Sequence, residues 1–508
     1  MISDQLGADW REKYVVWDPA WGTGNLTRDY QFKELYASTL EQAELEIGAK
    51  HNPEATKFKF DFLNDPLENL PAGLLEAFKQ DKPVLFYLNP PYAISCGMHE
   101  ENTKCHDTEV KKQMKADGIG SRGTNLYTQF LYRIAKIKEQ YKLTDCRIVV
   151  FCPPSFVQTP VYRKFKDFFF KHFEYSKGAQ FDSINFSDVN FGSILLSLWK
   201  SGQTIASSIL VDNIESTDNG IVKLEDKLLY SADKEQMLSF WYTQKSDDLI
   251  EVPQLKTSVQ PIDKGRLDGK GYKDALGYFY ANGNNGMSAC QRTALFSAPY
   301  FYGSCAVFKS NFDHCIVAFA ARLVSKQTCF NRFDEFLKPD ESHFKFNEFV
   351  NDSLIFCLFN SNSYQSSLRD VQFKDKVYNI PNNFFWLPKS EIEDLADQCN
   401  LDDVYADAHT ASDRFVYKKL QGLELSKEAQ AVLDKASELL KKSFKYRKLF
   451  SSEHPEYQLD KCWDAGWYQV KGLLKEYMKE ELKEFNRLVK ALGDKMRPMV
   501  YELGFLKK

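Results

Sequence analysis

The sequence contains no run of about 18 consecutive apolar residues, so no membrane-spanning helix is expected. It does not open on a targeting pattern either: residues 1–10 carry Asp4 and Asp9 and lack an apolar core, unlike a secretory signal peptide. The 11 cysteines are scattered and odd in number, which argues against a disulfide framework and for a reducing cytoplasmic setting. No repeat or low-complexity tract is present to suggest a solenoid or a disordered tail. An excess of one charge is lacking too. Lys and Arg number 66 against 70 Asp and Glu, a net charge of -4, so the chain does not advertise itself as a polycation, although one basic face would suffice to hold a polyanion. What is there is 508 residues, enough for two to four domains, with 43% hydrophobic and 27% charged residues as in a globular protein. The 40 Phe and 26 Tyr exceed what turns and surfaces need; most belong to cores, with a few left for stacking on planar ligands such as bases.

Over the first 200 residues, apolar runs alternate with amphipathic stretches. Residues 14–17, 32–37, 57–60, 84–88, 147–151 and 194–199 read as strands, and 40–47 and 126–137 as helices. A further helix is expected to begin near Asn25, an acceptable cap. This alternation predicts a mostly parallel sheet covered on both faces, whose ligands bind beyond the carboxyl ends of the strands.

Three polar clusters fall at those ends. Asp18-Pro19-Ala20-Trp21-Gly22-Thr23-Gly24 follows the first strand; its glycines permit close approach of the backbone, and a helix starting after it would offer N–H groups to an anion. The same residues also suit a plain strand-to-helix turn, and they match neither the G-x-G-x-x-G of dinucleotide folds nor a P-loop. At the second strand's tip, where a carboxylate usually meets ribose hydroxyls, Thr39 stands in the slot and Glu41 follows, as a ribose ligand or a solvated helix cap. Asp61-Phe62 ends the third strand and offers a carboxylate to a ring amine and a ring edge to its face, or simply an Asx turn.

Asn89-Pro90-Pro91-Tyr92, after the fourth strand, is the sharpest signal. Two prolines fix a stiff loop. The Asn89 amide oxygen and the Pro90 carbonyl can accept both hydrogens of an exocyclic amine, and Tyr92 offers a ring for a planar base. D-P-x-x-G-x-G followed by N-P-P-Y resembles the amino-methyltransferases that act on adenine N6, over roughly residues 14–200. The segments 125–130 (NLYTQF) and 152–156 (CPPSF) resemble further segments of that family, and the motif order is similar to its gamma arrangement. The resemblance implies a Rossmann-like, mostly parallel seven-stranded methyltransferase sheet with S-adenosyl-L-methionine as cofactor. It places the methionine part at Asp18, Pro19, Ala20, Gly22 and Gly24, the cofactor's ribose at Glu41, and its adenine at Asp61 and Phe62, with Asn89 beside both cofactor and target. Catalysis falls to Asn89, Pro90, Pro91 and Tyr92, by direct transfer to a flipped adenine, since the catalytic loop has no Pro-Cys nucleophile. Thr39, in place of the usual acidic residue, is a departure from the pattern.

The expected organisation is a catalytic domain over 1–202, a mixed α/β target-recognition domain over 203–410 and a helical domain over 411–508. Double-stranded DNA is the expected partner, with restriction-modification, phage or anti-phage defence as the setting and any nuclease or specificity subunit in a separate chain; no nuclease E-x-K follows Pro339-Asp340-Glu341. Similar loops serve enzymes that methylate RNA or a protein glutamine; those are usually compact, and the large C-terminal region favours DNA. A nucleic-acid-binding protein with a degenerate fold is a third reading, opposed by the intact Asn89 and Gly22-Gly24. No metal is expected, because the spacing of Cys96, His99, Cys105 and His106 is not a common ligand pattern. Lys111, Lys112, Lys115 and Arg122 suit phosphates or water, as do Lys441, Lys442, Lys445, Arg447 and Lys448, which would otherwise complement a helix C-terminus. Asn284, Arg292 and Arg322 are candidate base readers or phosphate contacts, or ordinary loop residues. A strand is expected after Asn351-Asp352-Ser353, and one long helix over 469–492.

Overall fold

The computed structural model describes residues 1–92, 108–120, 124–185, 192–261, 270–286, 293–300, 304–399 and 414–507. The chain forms two compact units, one of residues 1–233 with 328–335 and one of 234–327 with 336–507.

The first unit is built on a mixed, mostly parallel sheet. Its strands are β1 (Val15–Asp18), β2 (Leu35–Thr39), β3 (Thr56–Lys59), β4 (Val84–Leu88), β5 (Cys146–Cys152), β6 (Phe173–Asp182), β7 (Ser193–Ser201), β8 (Ser208–Thr217) and β9 (Gly220–Tyr230), in the spatial order β3-β2-β1-β4-β5-β7-β6-β8-β9. Val16 of β1 lies opposite both Leu35 and Leu85, and all five residues of β4 are buried. Central parallel strands are covered on both faces, and hence read as unbroken apolar runs. β7 runs antiparallel between β5 and β6. Helices α1 (Gln42–Ile47), α2 (Ala72–Lys79), α3 (Glu109–Ala116), α4 (Leu126–Tyr141), α5 (Ser155–Gln158) and α6 (Arg163–His172) lie between the strands in the chain. Trp17 anchors the core among Phe62, Phe78 and Phe86, its indole N–H donating to Ser38 Oγ at 3.0 Å.

Three expectations are corrected here. The sheet has nine strands, not seven, and it does not end at residue 202. β8 and β9 extend it as a hairpin across Asp218 and Asn219, with Ile209 and Val211 turned inward and Leu210 outward. The charged residues of β9 hide its alternation. No helix begins near Asn25. Residues 22–29 form turns in which Asn52 Nδ2 donates to the carbonyls of Thr27 (3.2 Å) and Tyr30 (2.8 Å), and the Thr27 hydroxyl accepts from the Trp21 indole (2.8 Å). The segment 328–335 also belongs to this unit: buried Asp334 accepts from Gln158 of α5 at 2.7 Å and pairs with Lys227 of β9.

In the second unit, β10 (Gly277–Ala281), β11 (Thr293–Phe296), β12 (Cys305–Val307) and β13 (Ser363–Tyr364) form a sheet in the order β12-β10-β11-β13. Helices α7 (Phe312–Val324), α8 (Phe346–Phe359), α9 (Lys427–Glu453), α10 (Trp467–Tyr477) and α11 (Lys479–Glu502) surround one core that runs from Leu238 to Leu506. That core crosses the expected boundary at 410. The strand expected after Ser353 is the end of α8: a short apolar run has no period that separates a buried strand from a buried helix. The helix expected over 469–492 is two, broken at Met478 with φ -143°. Among the described residues, no helix is long and apolar enough to cross a membrane.

Candidate functional site

The strand order reverses direction between β1 and β4, and the loops that leave these two neighbours carry the two main motifs. Trp17 lies opposite Phe86, so continuing the parallel register sets Asp18 opposite Tyr87 and Asn89 two residues further. Strand spacing and rise then put the Asp18 and Asn89 backbones roughly 8 Å apart. The space outside the carboxyl ends at a topological switch point is where open α/β sheets hold ligands.

Asp18 ends β1 with 1% of its surface exposed. Its Oδ1 accepts from the Ala20 backbone N–H at 3.0 Å, and its Oδ2 has no partner. Burial pushes its pKa up to about 8 against the small downward pull of that one hydrogen bond. Pro19 is buried and Ala20 half-buried. Gly22 has φ 55°, with open space where a Cβ would be. Gly24 has φ 89° and sits on the Trp21 ring, which a Cβ would meet at 2.7 Å. The loop is therefore shaped by turns around a buried tryptophan, without the helix N-terminus anticipated after it.

At the tip of β2, Glu41 is exposed at the N-cap of α1, where its side chain makes no capping bond. The carboxylate that reaches the strand end is Glu44, which accepts from the Thr39 hydroxyl. Glu44 occupies the third position of α1, where a carboxylate commonly turns back toward the preceding loop; that spacing was the signal available in the sequence. After β3, Asp61 forms an Asx turn: Oδ1 accepts from Leu63 N at 2.9 Å and Oδ2 from Asn64 Nδ2 at 2.8 Å. Phe62 is 3% exposed and stacks on Phe130 of α4 at 4.8 Å, while the Arg133 guanidinium lies 5.3 Å from its ring and donates to its carbonyl. Phe62 is thus core, with one face occupied by a protein ring.

Beyond β4, Asn89 is half-buried, Pro90 buried and Pro91 exposed. The Tyr92 hydroxyl donates to Asn89 Oδ1, which orients the carboxamide. Burial, with a contribution from the Cys152 thiol at the end of β5, pushes the Tyr92 pKa up, and burial does the same to Cys152. Neither group is an anion at neutral pH. Asn125 donates to the Tyr162 hydroxyl, and the Tyr127 hydroxyl meets Ser155 Oγ at 3.0 Å, so the 125–130 and 152–156 segments close on one another.

Several other candidates have partners within the fold. Arg322 is 1% exposed and donates to Thr293 Oγ1 and the Gly283 carbonyl; Asn284 donates to the Phe336 carbonyl. Arg447 is buried with its guanidinium 3.8 Å from the Phe444 ring, and Lys441 and Lys442 pair with Glu391 and Glu438. These basic residues lie within α9, which runs on to Glu453, so they do not serve its C-terminus. Lys112 pairs with Glu109. Cys96, His99, Cys105, His106, Arg122 and Arg292 lie outside the described residues.

No protein-family profile matches the sequence, and no curated protein is significantly similar to it. Solved structures match in part. A Vibrio vulnificus YJ016 protein assigned as the modification subunit of a type I restriction enzyme matches at 14% identity over 40% of this chain and 43% of its own, with a TM-score of 0.25. The methyltransferase subunit of a type I restriction-modification system from Streptococcus thermophilus matches at 10% identity over 44% and 48%, with a TM-score of 0.28. The ATP-dependent Type ISP restriction-modification enzyme LlaBIII, bound to DNA, matches at 12% over 56% and 23%, with a TM-score of 0.31. The chain spans less than half the length of each, and at such TM-scores the likeness settles neither activity nor substrate.

Proposed function

We propose that the protein is an S-adenosyl-L-methionine-dependent methyltransferase that methylates the N6 amine of a flipped adenine in double-stranded DNA. The observation that carries this reading is the pairing of β1 with β4, which brings the D-P-x-x-G-x-G and N-P-P-Y loops to the same end of the sheet at its switch point. The residues fit the cofactor. Asp18 Oδ2 is buried without a partner and suits an ammonium such as that of the methionine part. The open side of Gly22 leaves room for close approach, and Glu44, more than the exposed Glu41, is placed for the ribose hydroxyls. When bound, the cofactor supplies a methyl group already activated on a sulfonium. Asp61 and Phe62 contribute by holding the floor of the loop after β3.

The chain's own work is positioning. Asn89 Oδ1 and the Pro90 carbonyl accept the two hydrogens of the adenine amine, which leaves its nitrogen lone pair facing the cofactor. An amide oxygen has two lone pairs, so Asn89 can keep the Tyr92 hydroxyl while it takes the amine. The Tyr92 ring stacks the base and offsets part of its unstacking, at roughly 1–3 kcal/mol. The second unit serves as the target-recognition part.

The test is sequencing of modified bases on DNA from cells that express the chain, beside an Asn89→Ala control. N6-methyladenine at one recurrent short motif, lost in the control while cofactor binding persists, is the expected result. Modified adenine that survives in the control would refute the role of Asn89, and no modified adenine in either would refute the substrate.

A further inference from the structure

The second unit carries an aromatic cleft that the methyl-transfer reading does not use. In the β10 segment Gly277-Tyr278-Phe279-Tyr280, successive side chains alternate between the two faces of the sheet. Phe279 and Leu295 enter the helical core. On the opposite face, Tyr280 is paired with Ala294, and Phe296 with Tyr364 of β13. Tyr300 stacks on Phe296 at 4.5 Å with planes 7° apart, and Tyr364 lies 5.3 Å from Phe296 at 13°. Tyr468 of α10 adds a fourth ring, 5.5 Å from Tyr364, and Tyr280 meets the edge of Tyr300. The rings line a cavity of about 320 Å³, the lower end of the size range of ligand sites.

Three features separate this cleft from ordinary core packing. Tyr280, Tyr300, Tyr364 and Tyr468 are all only half-buried. The Thr257 and Ser258 hydroxyls beside them have no hydrogen-bond partner, although Ser258 is 1% exposed. Among the described residues that line the cavity, Lys256 is the one charged side chain and no carboxylate is present. Just beyond, Lys471 lies 5.8 Å from the Tyr468 ring, and burial lowers its pKa to about 8, a cost that a nearby anion would relieve. Parallel rings, unpaired polar groups at their edge and a lysine with no carboxylate among the described lining residues suit a planar, hydrogen-bonding, anionic ligand. Sheet faces that carry such rings stack unpaired bases.

We propose that this cleft stacks an unpaired nucleobase of single-stranded DNA, with the Tyr364 ring carrying the ladder on to the base, the Thr257 and Ser258 hydroxyls meeting its edge and Lys256 its phosphate. The choice of DNA rests on the methyl-transfer reading, whereas the stacking chemistry does not. Fluorescence anisotropy of the full chain with a labelled single-stranded deoxyoligonucleotide tests it. The wild-type chain should bind an abasic strand of equal length roughly tenfold more weakly than the ordinary strand. Tyr364→Ala and the double variant Thr257→Val/Ser258→Ala should each weaken binding roughly fivefold or more, Tyr364→Phe should retain it, and Lys256→Gln should flatten the salt dependence. Cofactor binding and circular dichroism should stay unchanged in these variants. Equal binding of abasic and ordinary strands, or folded alanine variants with wild-type affinity, would overturn the proposal, as would a proline-rich peptide that binds the cleft more tightly than DNA. Asn89→Ala separates the two readings, because it should abolish methylation and leave oligonucleotide binding intact.

Discussion

At the scale of single residues, Asp18 has the most distinctive chemistry. An ordinary aspartate titrates near 3.8, and burial moves this one to about 8. The folded chain therefore keeps a proton that the unfolded chain has released over most of that interval. Stability contributed by this group is full below pH 3.8 and is lost as pH rises to about 8. Asp18→Asn should flatten the melting temperature over that interval and raise it at the alkaline end, as scanning calorimetry against pH would record. An ammonium placed against Oδ2 favours the carboxylate, so cofactor binding at about pH 6.5 should expel a proton from Asp18, while the cofactor's own amine, with a pKa of about 8, stays charged. Titration calorimetry in buffers of different ionisation enthalpy should detect that proton in the wild type and not in Asp18→Asn; identical heats in both proteins would remove Asp18 from the site.

At the scale of elements, the loop after β1 and the one after β4 are rigid for different reasons. The second is stiff from its prolines alone. The first owes its shape to Trp21, against which Gly24 packs, while Gly22 answers only to its own backbone. Both have positive φ, but a methyl at 24 meets the indole at 2.7 Å and a methyl at 22 meets nothing. Gly22→Ala should therefore cost roughly 1–2 kcal/mol, the left-handed penalty alone. Gly24→Ala adds a clash and should cost roughly 2–5 kcal/mol, with loss of cofactor binding. Urea unfolding of the two variants checks the order, and equal losses would mean that the indole yields easily. In place of the helix anticipated at Asn25 the chain makes turns that Asn52, a residue more than 20 positions away that no local pattern announces, ties down at the carbonyls of Thr27 and Tyr30.

At the scale of the molecule, the first unit is not a contiguous stretch of chain. Asp334, from the segment 328–335, is buried with Lys227 of β9 and Gln158 of α5. Burial raises its pKa to about 6, against the downward pull of Lys227. Removing one partner of a buried ion pair costs about 3–5 kcal/mol, because the remaining charge stays desolvated. Asp334→Ala should lose that much in the full chain, measured by denaturant unfolding, and the double variant Lys227→Met/Asp334→Leu should recover most of it. Residues 1–233 expressed alone should share the defect of Asp334→Ala. A single variant as stable as the wild type would mean that water reaches the pair.

The strand ends, the D-P-x-x-G-x-G and N-P-P-Y loops and their place on a parallel sheet were legible in the sequence, because each depends on neighbours a few residues apart. Periodicity, proline and glycine are local, and a parallel sheet converts strand ends into a shared crevice. What the sequence left open depended on distant partners. The burial of Phe62 under Phe130, the internal roles of Arg322 and Arg447, and the return of 328–335 to the first sheet are all contacts across the fold. The aromatic cleft lay between the two: the alternation of Tyr278-Phe279-Tyr280 is local, but only packing decided that Phe279 faces the core while Tyr280 lines an open cavity. An aromatic ring gains from burial in a core and from stacking on a base by the same surface, and tertiary structure alone determines which is offered.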